Sequence, residues 1–382
     1  LGCAWFTYFC SMMRKKNTVI VCPLDWGLGH ATRMVPVIES FIRENYQVVI
    51  AADNRPLAFL KLRFPTCIFE QLPGYQPNYP TRGFLMPLAM MAAYPQMMLS
   101  AGKARKTLAV IIEKHRADVV VSDNRYELSM PGVYHVFITH QIHIQTVGWQ
   151  KIFQPFIDLN IRKYINRYHE LWIPDEAGEH NLSGILAHPL PNLKPKTSYI
   201  GLLSRFSEQK AEIKPIENDI VIILSGPEPQ RTLLEEKLTS QALKTDLNIL
   251  IIQGKPEQYQ DVQIKNIRKI SHLDDPTMAA YIRGAQLIVS RPGFSTLMDL
   301  AFLQKKAAFV PTPGQTEQEY LAHKLMDEKR AYCQSQNTFD LSKAYQTRHH
   351  YQGLSSFENR DALQQAIHSL AGQIALYKQN NP

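Results

Sequence analysis

The chain has 382 residues, 45% hydrophobic and 20% charged, the composition of a folded globular protein with room for two domains of ordinary size. Its net charge of +8 suits an anionic partner such as a nucleotide diphosphate or a membrane surface, while the lack of a Lys/Arg tract or an aromatic RNA-binding signature argues against nucleic acid. Cys3, Cys10, Cys22, Cys67 and Cys333 are scattered and odd in number, which excludes a disulfide framework or a zinc site as the organising device and fits a reducing cytoplasm.

Residues 1–16 read as a leader. LGCAWFTYFCSMM is too short to span a bilayer, and Arg14, Lys15 and Lys16 follow the apolar run instead of preceding it, the reverse of a signal peptide. The expectation is translation from Met12 or Met13 with a disordered leader; a membrane-dipping tail is the alternative. No other run is long and apolar enough for a transmembrane helix.

Residues 17–190 read as a first α/β domain. A strand at Thr18–Cys22 runs into the loop Pro23–Gly29, and a helix opening near His30 carries Met34, Val35, Ile38, Phe41 and Ile42 at helical spacing. Strand, glycine loop and helix in this order open a nucleotide fold. Gly27, Gly29, His30 and Arg33 together make a G-x-G-H-x-x-R string, more specific than a lone G-x-G. At a helix N-terminus the dipole disfavours imidazolium, so His30 is a candidate general base; a loop histidine that merely bonds the backbone is the alternative. Further strands are expected at Gln47–Ala52, Cys67–Phe69, Ala117–Val121, Tyr134–Ile138 and Leu171–Ile173, with helices at Pro56–Phe64 and Lys151–Tyr168. Asp123, His140 and His143 fall at strand exits on the same sheet edge as the His30 loop. The stretch Phe84–Leu99, rich in methionine and followed by Lys103, Arg105 and Lys106, reads either as a core helix with a solvated basic end or as an apolar, basic-rimmed surface for a membrane or lipid-linked molecule.

Residues 191–216, opened by Pro191 and Pro195, read as a linker, residues 217–355 as a second domain and residues 356–382 as a closing helix. The second domain starts at the buried strand Asp219–Leu224 and turns through Ser225, Gly226, Pro227, Glu228 and Pro229 into a helix at Arg231–Lys237. Strands near Asn248–Gln253 and Gln263–Ile270 and a helix at Pro276–Arg283 follow. Its densest signal is residues 286–322, QLIVSRPGFSTLMDLAFLQKKAAFVPTPGQTEQEYLA. A strand at Leu287–Val289 breaks at Arg291, Pro292 and Gly293, Ser295 or Thr296 can cap a helix, Lys306–Val310 is a second strand, and Gln315–Ala322 opens another helix. In open α/β sheets ligands bind at the carboxyl ends of the strands, and a helix N-terminus there suits a phosphate.

Gly293, an acidic residue six positions on at Asp299, the Pro311 loop and the Gln318–Glu319 pair resemble the donor-binding half of glycosyltransferase family 28. The resemblance implies a GT-B fold, two doubly wound parallel-sheet domains facing a cleft, and an inverting, metal-independent transfer from a UDP-sugar of the UDP-GlcNAc kind to an acceptor left open, a lipid-linked one included. It places His30 as base with Asp123 as its support, and Gly27, Gly29, Arg33 and His140 on the acceptor side. It places Ser225, Gly226, Arg231, Arg291, Gly293, Phe294, Ser295, Asp299, Gln318 and Glu319 on the donor, with Asp299 at the ribose hydroxyls, Arg231 and Arg291 at the diphosphate, and Gln318 with Glu319 at the sugar. No D-x-D string occurs, so neither a metal nor another cofactor is expected. A cytoplasmic protein, peripheral on the inner membrane face where a lipid-linked acceptor applies, is implied. The G-x-G-H-x-x-R string also resembles sugar-nucleotide hydrolases of nonulosonic acid synthesis, whose His activates water; a non-catalytic nucleotide-sugar-binding protein is a further alternative.

Overall fold

Short apolar runs between polar neighbours become the strands of two sheets. The computed structural model describes residues 16–75, 86–145, 152–207, 213–255, 259–355, 359 and 361–381, the side chains of 86–92 excepted. The expected leader up to Lys15, most of the loop after Pro73, Phe84, and the expected helix starts at Lys151 and Phe357 lie outside the described residues.

The first domain runs β1 (Thr18–Cys22), α1 (Leu28–Arg43), β2 (Gln47–Ala52), α2 (Asn54–Arg63), β3 (Ile68–Gln71), α3 (Met86–His115), β4 (Val119–Asp123), β5 (Tyr134–Ile138), α4 (Gln154–Ile165), β6 (Glu170–Ile173) and β7 (Lys196–Tyr199). Its strands order as β3-β2-β1-β4-β5-β6-β7, each pair parallel. Both faces of this sheet are apolar, as a sheet covered on both sides requires. Val19, Val21 and Val119 pack with Met34, Val35 and Phe41 of α1, and Ile20, Val49 and Val120 pack with Ala104, Leu108 and Ile111 of α3 on the other side.

The second domain runs β8 (Asn218–Ile223), α5 (Gln230–Ala242), β9 (Ile249–Ile252), β10 (Asp261–Ile264), β11 (Ile267–Ile270), α6 (Asp275–Gly284), β12 (Ala285–Ser290), α7 (Phe294–Phe302), β13 (Ala307–Phe309), α8 (Thr316–Asp327), β14 (Tyr332–Cys333), α9 (Leu341–Thr347) and the closing α10 (Ala362–Asn380). The order is β10-β11-β9-β8-β12-β13-β14, parallel except for the edge hairpin β10–β11. The sequence marks that hairpin only as one strand region at Gln263–Ile270. No described helix is long and apolar enough to cross a membrane.

β7 falls inside the stretch expected as a linker and forms the last strand of the first sheet, and β8 opens the second sheet at Asn218; the chain crosses between these two strands. Gly201 has φ +70° there, and a Cβ on it would lie 2.8 Å from the Asn359 carbonyl oxygen, where the chain returns. Both constraints favour glycine. After that return α10 packs on the first domain: Ile367, Leu370 and Ile374 share a core with Phe41 and Val37, Arg43 donates to Gln364 at 3.0 Å, and Lys378 pairs with Asp118.

Because α10 belongs to the first domain's core, Ile367→Ala should cost about 2–5 kcal/mol of stability. Leu376→Ala, at a side chain 54% exposed on the same helix, should cost under about 0.5 kcal/mol. Urea unfolding of both variants checks the contrast; equal losses would place α10 off the core.

Candidate active site

The carboxyl ends of the two sheets meet through the N-termini of α1 and α7. On the first side β4 ends at Asp123, a carboxylate with no exposed surface. His30 and Arg33, three residues apart and so on one face of α1, both reach it. His30 Nδ1 stands 2.9 Å from Asp123 Oδ2. Arg33 Nε donates to both oxygens at 2.9 and 3.0 Å, and its Nη2 pairs with Oδ1.

Burial raises the Asp123 pKa, but Arg33 and His30 outweigh it and hold the carboxyl below its usual range. An ionised carboxylate only accepts, so His30 Nδ1 carries the proton and Nε2 is left as a bare lone pair. Desolvation, helped by the Arg33 charge and opposed by Asp123, keeps the His30 pKa below the ordinary histidine value. The ring is therefore a neutral base at pH 7, and its side chain is 18% exposed.

The chain of polar groups continues across the cleft. Arg33 Nη1 lies 3.1 Å from His140 Nδ1, at the exit of β5. A guanidinium has only donors, so Nδ1 accepts and the His140 proton sits on Nε2, from which it is donated to Glu317 Oε1 of the second domain at 2.9 Å. The His140 ring lies flat on Phe294, centroids 4.0 Å apart and planes 7° apart. Ser295 Oγ donates to the Gly29 carbonyl at 2.8 Å, and a Cβ on Gly29 would come 3.4 Å from that hydroxyl. Ser295 therefore crosses to the first domain instead of capping α7, whose N-cap is Gly293 with no side-chain bond. Gly27, with φ +119°, starts α1 and aims it at this junction.

Sequence positions thus brought together are Gly27, Gly29, His30, Arg33, Asp123 and His140, with Phe294 and Ser295 opposite. Ser225 and Gly226 stay exposed at the exit of β8, Gly226 with φ +102° and room for a Cβ 3.7 Å from Thr312 Oγ1. Gln318 Oε1 accepts from the Thr312 amide at 2.8 Å and Glu319 Oε1 from the Gly314 amide at 3.1 Å. In this structure the expected sugar-binding pair therefore braces the loop after β13.

Other expected donor contacts are directed elsewhere. Arg231 is buried and paired with Glu228 and, at 3.0 Å, with Glu235, so its charge is already balanced. Arg291, 1% exposed, donates to the carbonyls of Val310, Pro311 and Gln230 and to Gln336; desolvation lowers its pKa to about 10. It clamps three loops and does not face a crevice. Asp299 is buried, and the linker takes both its oxygens: Ser204 Oγ donates to Oδ1 at 2.8 Å and Arg205 Nε to Oδ2 at 3.1 Å. Burial raises the Asp299 pKa against the opposing pull of Arg205.

Sequence reading missed Glu317, Ser204 and Arg205. An acidic residue in the first turn of α8 is a visible helix-start feature, but its partner lies 177 positions away, beyond any local pattern.

Residues 220–371 match the glycosyltransferase family 28 C-terminal domain. The UDP-N-acetylglucosamine–N-acetylmuramyl-(pentapeptide) pyrophosphoryl-undecaprenol N-acetylglucosamine transferases of Rickettsia rickettsii and Rickettsia conorii are 37% identical over 68 residues, 17% of this chain and 18% of theirs. The match therefore spans under a fifth of those relatives. Among solved structures, the kitacinnamycin glycotransferase aligns at TM-score 0.59 with 13% identity over 96% of this chain and 100% of that one. Spinosyn rhamnosyltransferase complexed with thymidine diphosphate gives 0.58 and 12% over 95% and 96%. MurG of Acinetobacter baumannii gives 0.53 and 15% over 94% and 100%. At such identities the likeness shows the fold, which is GT-B.

The Asp299 placement has a measurable consequence. Asp299→Ala should cost up to about 3 kcal/mol, because it leaves Arg205 only its longer pair with Asp275 at 3.6 Å and removes the Ser204 acceptor, and the Asp299→Ala/Arg205→Ala pair should cost less than the sum of its parts. Thermal or urea melts of the double-mutant cycle check this; strict additivity would separate the two side chains.

Proposed function

Since residues 220–371 form a glycosyltransferase family 28 C-terminal domain in a GT-B chain, we propose that the protein transfers a sugar from a nucleotide-sugar, a UDP-sugar of the UDP-GlcNAc kind, to an acceptor hydroxyl, with inversion and without a metal. The observation that carries this reading is the His30–Asp123 pair: a neutral imidazole, its Nδ1 proton held by a buried carboxylate at 2.9 Å, at the junction with the second domain. The UDP choice is supported by the names of the Rickettsia relatives.

In the reaction, His30 Nε2 takes the acceptor's hydroxyl proton as that oxygen attacks the anomeric carbon. The carbon–oxygen bond to the diphosphate breaks, and UDP departs with the bonding pair. Asp123 stabilises the imidazolium that forms, and the proton then passes to water. On the donor side, the Ser225–Gly226 loop and the amides at the N-terminus of α7, near Gly293, Phe294 and Ser295, are the groups proposed for the diphosphate, with Gln318 and Glu319 beside the sugar.

His30→Ala should leave UDP affinity nearly unchanged and lower turnover by roughly 10²–10⁴, the usual worth of a positioned base. Because the His30 pKa is depressed, the wild-type rate should fall only at pH below the ordinary histidine range, and that acid limb should vanish in the variant. Calorimetry with UDP and turnover over a donor and acceptor screen make the paired test. Release of sugar to water with no acceptor present would favour the hydrolase reading, and loss of UDP binding would refute the division between domains.

A membrane-facing role of α3, with a lipid-linked acceptor, is a further part of the proposal. The helix buries Ala104, Leu108 and Ile111, yet exposes Tyr94, Met98 and Leu99 at 60%, 49% and 76% beside exposed Lys103, Arg105 and Lys106. Replacing those three basic residues with Gln should weaken sedimentation with anionic liposomes, by at most about 1 kcal/mol per charge. Equal sedimentation of both proteins would leave α3 a core helix alone.

A further inference from the structure

α8 opens with Thr316, Glu317, Gln318 and Glu319, and its side chains divide. Gln318 and Glu319 turn back to the amides of Thr312 and Gly314 in their own domain. Glu317 turns across the cleft instead and accepts from His140 Nε2 at 2.9 Å. Behind His140 stand Arg33, then Asp123, then His30, each within hydrogen-bond distance of the next: 3.1 Å, 2.9 Å and 2.9 Å. The His140 ring cannot swing freely, because Phe294 lies flat against it. A carboxylate on one domain is thereby linked, through one imidazole, one guanidinium and the Asp123 carboxylate, to the base on the other.

We propose that Glu317 is a positioning residue supplied by the nucleotide-binding domain, which acts through His140 and Arg33 to hold the Asp123–His30 pair in its reactive arrangement when the two domains are together. Glu317 touches neither His30 nor any reacting atom. Three properties of the site support its role. The Glu317–His140 bond is the only direct hydrogen bond among the described residues that joins the second domain to this chain of groups, so opening the cleft breaks it. Its direction is fixed, since Arg33 can only donate to Nδ1 and so leaves the His140 proton on Nε2 for Glu317. The carboxylate is kept ionised: burial works against the charge, but His140, Arg33 and His30 outweigh it and lower the Glu317 pKa.

Without Glu317 the His140 proton loses its acceptor, and the ring, which Phe294 keeps from tilting, is free to turn in its own plane and carry Nδ1 away from Arg33 Nη1. The guanidinium then keeps its fork on Asp123 but loses its third anchor, so the fork can shift against Asp123, which is the group that fixes the His30 tautomer. The charged and titratable groups facing the chain are Arg33, Asp123, His30, His140 and Glu317, with the Tyr126 phenol behind them; Tyr126 donates to the Gln141 carbonyl and burial pushes its pKa up. A base that is fully oriented only when the donor domain is docked would limit proton abstraction in the open state.

The proposal rests on His30 being the base, so the test has one arm that needs no turnover. The protein labelled with ¹⁵N-histidine, its His30 and His140 signals assigned by substitution, is followed for the His30 Nδ1–H resonance that Asp123 protects from exchange. In Glu317→Ala that resonance should broaden or disappear. In Glu317→Gln, whose amide oxygen can still accept from His140, it should persist. His140→Phe, which keeps the stack on Phe294 but removes both bonds, should reproduce the Glu317→Ala result. Under the proposed transfer reaction, kcat at saturating substrates should fall roughly ten-fold in Glu317→Ala, the low end of coupling between sites, with UDP affinity by calorimetry unchanged. The Glu317→Ala/His140→Phe double variant should lose no more than either single one.

An unchanged His30 resonance in a folded Glu317→Ala protein overturns the proposal, as does a Glu317→Gln variant as impaired as Glu317→Ala, or additive losses in the cycle. A protein that shows the resonance changes but transfers no sugar keeps the positioning role and refutes the transferase reading alone.

Discussion

A carboxylate with no exposed surface has to be paired, and the pairing of Asp123 organises the first domain's half of the cleft. Left alone in that position it would protonate, since an isolated charge in a low-dielectric interior costs several kcal/mol or more. Arg33 prevents this with a two-oxygen contact, and the contact fixes much else. It requires the first turns of α1 to lie over the exit of β4, which Gly27 permits by starting the helix from a positive φ. It leaves Asp123 ionised, so that His30 must present its proton to the carboxylate and its lone pair to the cleft. It also leaves one guanidinium nitrogen to spare, and that nitrogen sets the tautomer of His140. The protonation pattern of two histidines follows from one ion pair.

Apart from the Glu317–His140 bond, the Phe294–His140 stack and the Arg63–Asp275 ion pair at 3.4 Å, the two domains meet through contacts of a different kind. Ser295 with Gly29, Tyr320 with Ile185, Lys324 with Asn181 and Arg55 with Gly254 are all single hydrogen bonds to backbone groups. Such bonds exchange for water at a net cost of about 1 kcal/mol each. The covalent crossings are held more firmly: Asp299 fixes Ser204 and Arg205 to the second domain, and α10 is buried against the first. Buried anchors on either side of Gly201, and a seam between the strand exits made in part of such replaceable bonds, are the ingredients of hinge closure.

Strands with an apolar run on both sides of the sheet were legible from the sequence. Gln47–Ala52 and Tyr134–Ile138 have their expected bounds, because a buried parallel strand has no alternative reading when flanked by turn residues. Polar edge strands were not. β7, KTSY, has no buried residue and follows three prolines, and β10, DVQI, is exposed along its length; an edge strand is defined by its hydrogen bonds, which leave no hydrophobic trace. At the site, strand exits and helix starts place His30, Arg33, Asp123 and His140 on one sheet edge, because parallel topology itself puts them there. What topology does not reveal is which way a polar side chain turns. Arg291 stands in the expected turn, and Arg231 and Asp299 on the helices that follow their loops, yet each is engaged by internal partners. Glu317 owes its role to a partner in the other domain.

The fate of the two donor-domain arginines bears on how an anion would be held there. Arg231 is neutralised by Glu228 and Glu235, and Arg291 spends both its terminal nitrogens on carbonyls and Gln336. Neither could turn to a phosphate without giving up the part-buried Glu235 carboxylate or leaving several buried carbonyls unpaired, a loss of about 1–3 kcal/mol for each buried group. Under the proposed transfer reaction, a diphosphate at this edge would meet the exposed Ser225–Gly226 turn and the amides of α7. Helix amides are fixed in direction and need no reorganisation as charge builds on a leaving group. They also carry no net charge to be screened or neutralised before the ligand arrives. The arginines then act one step back: Arg291 ties the turn after β12 to the loops after β13 and before α5, which holds those amides in a common orientation.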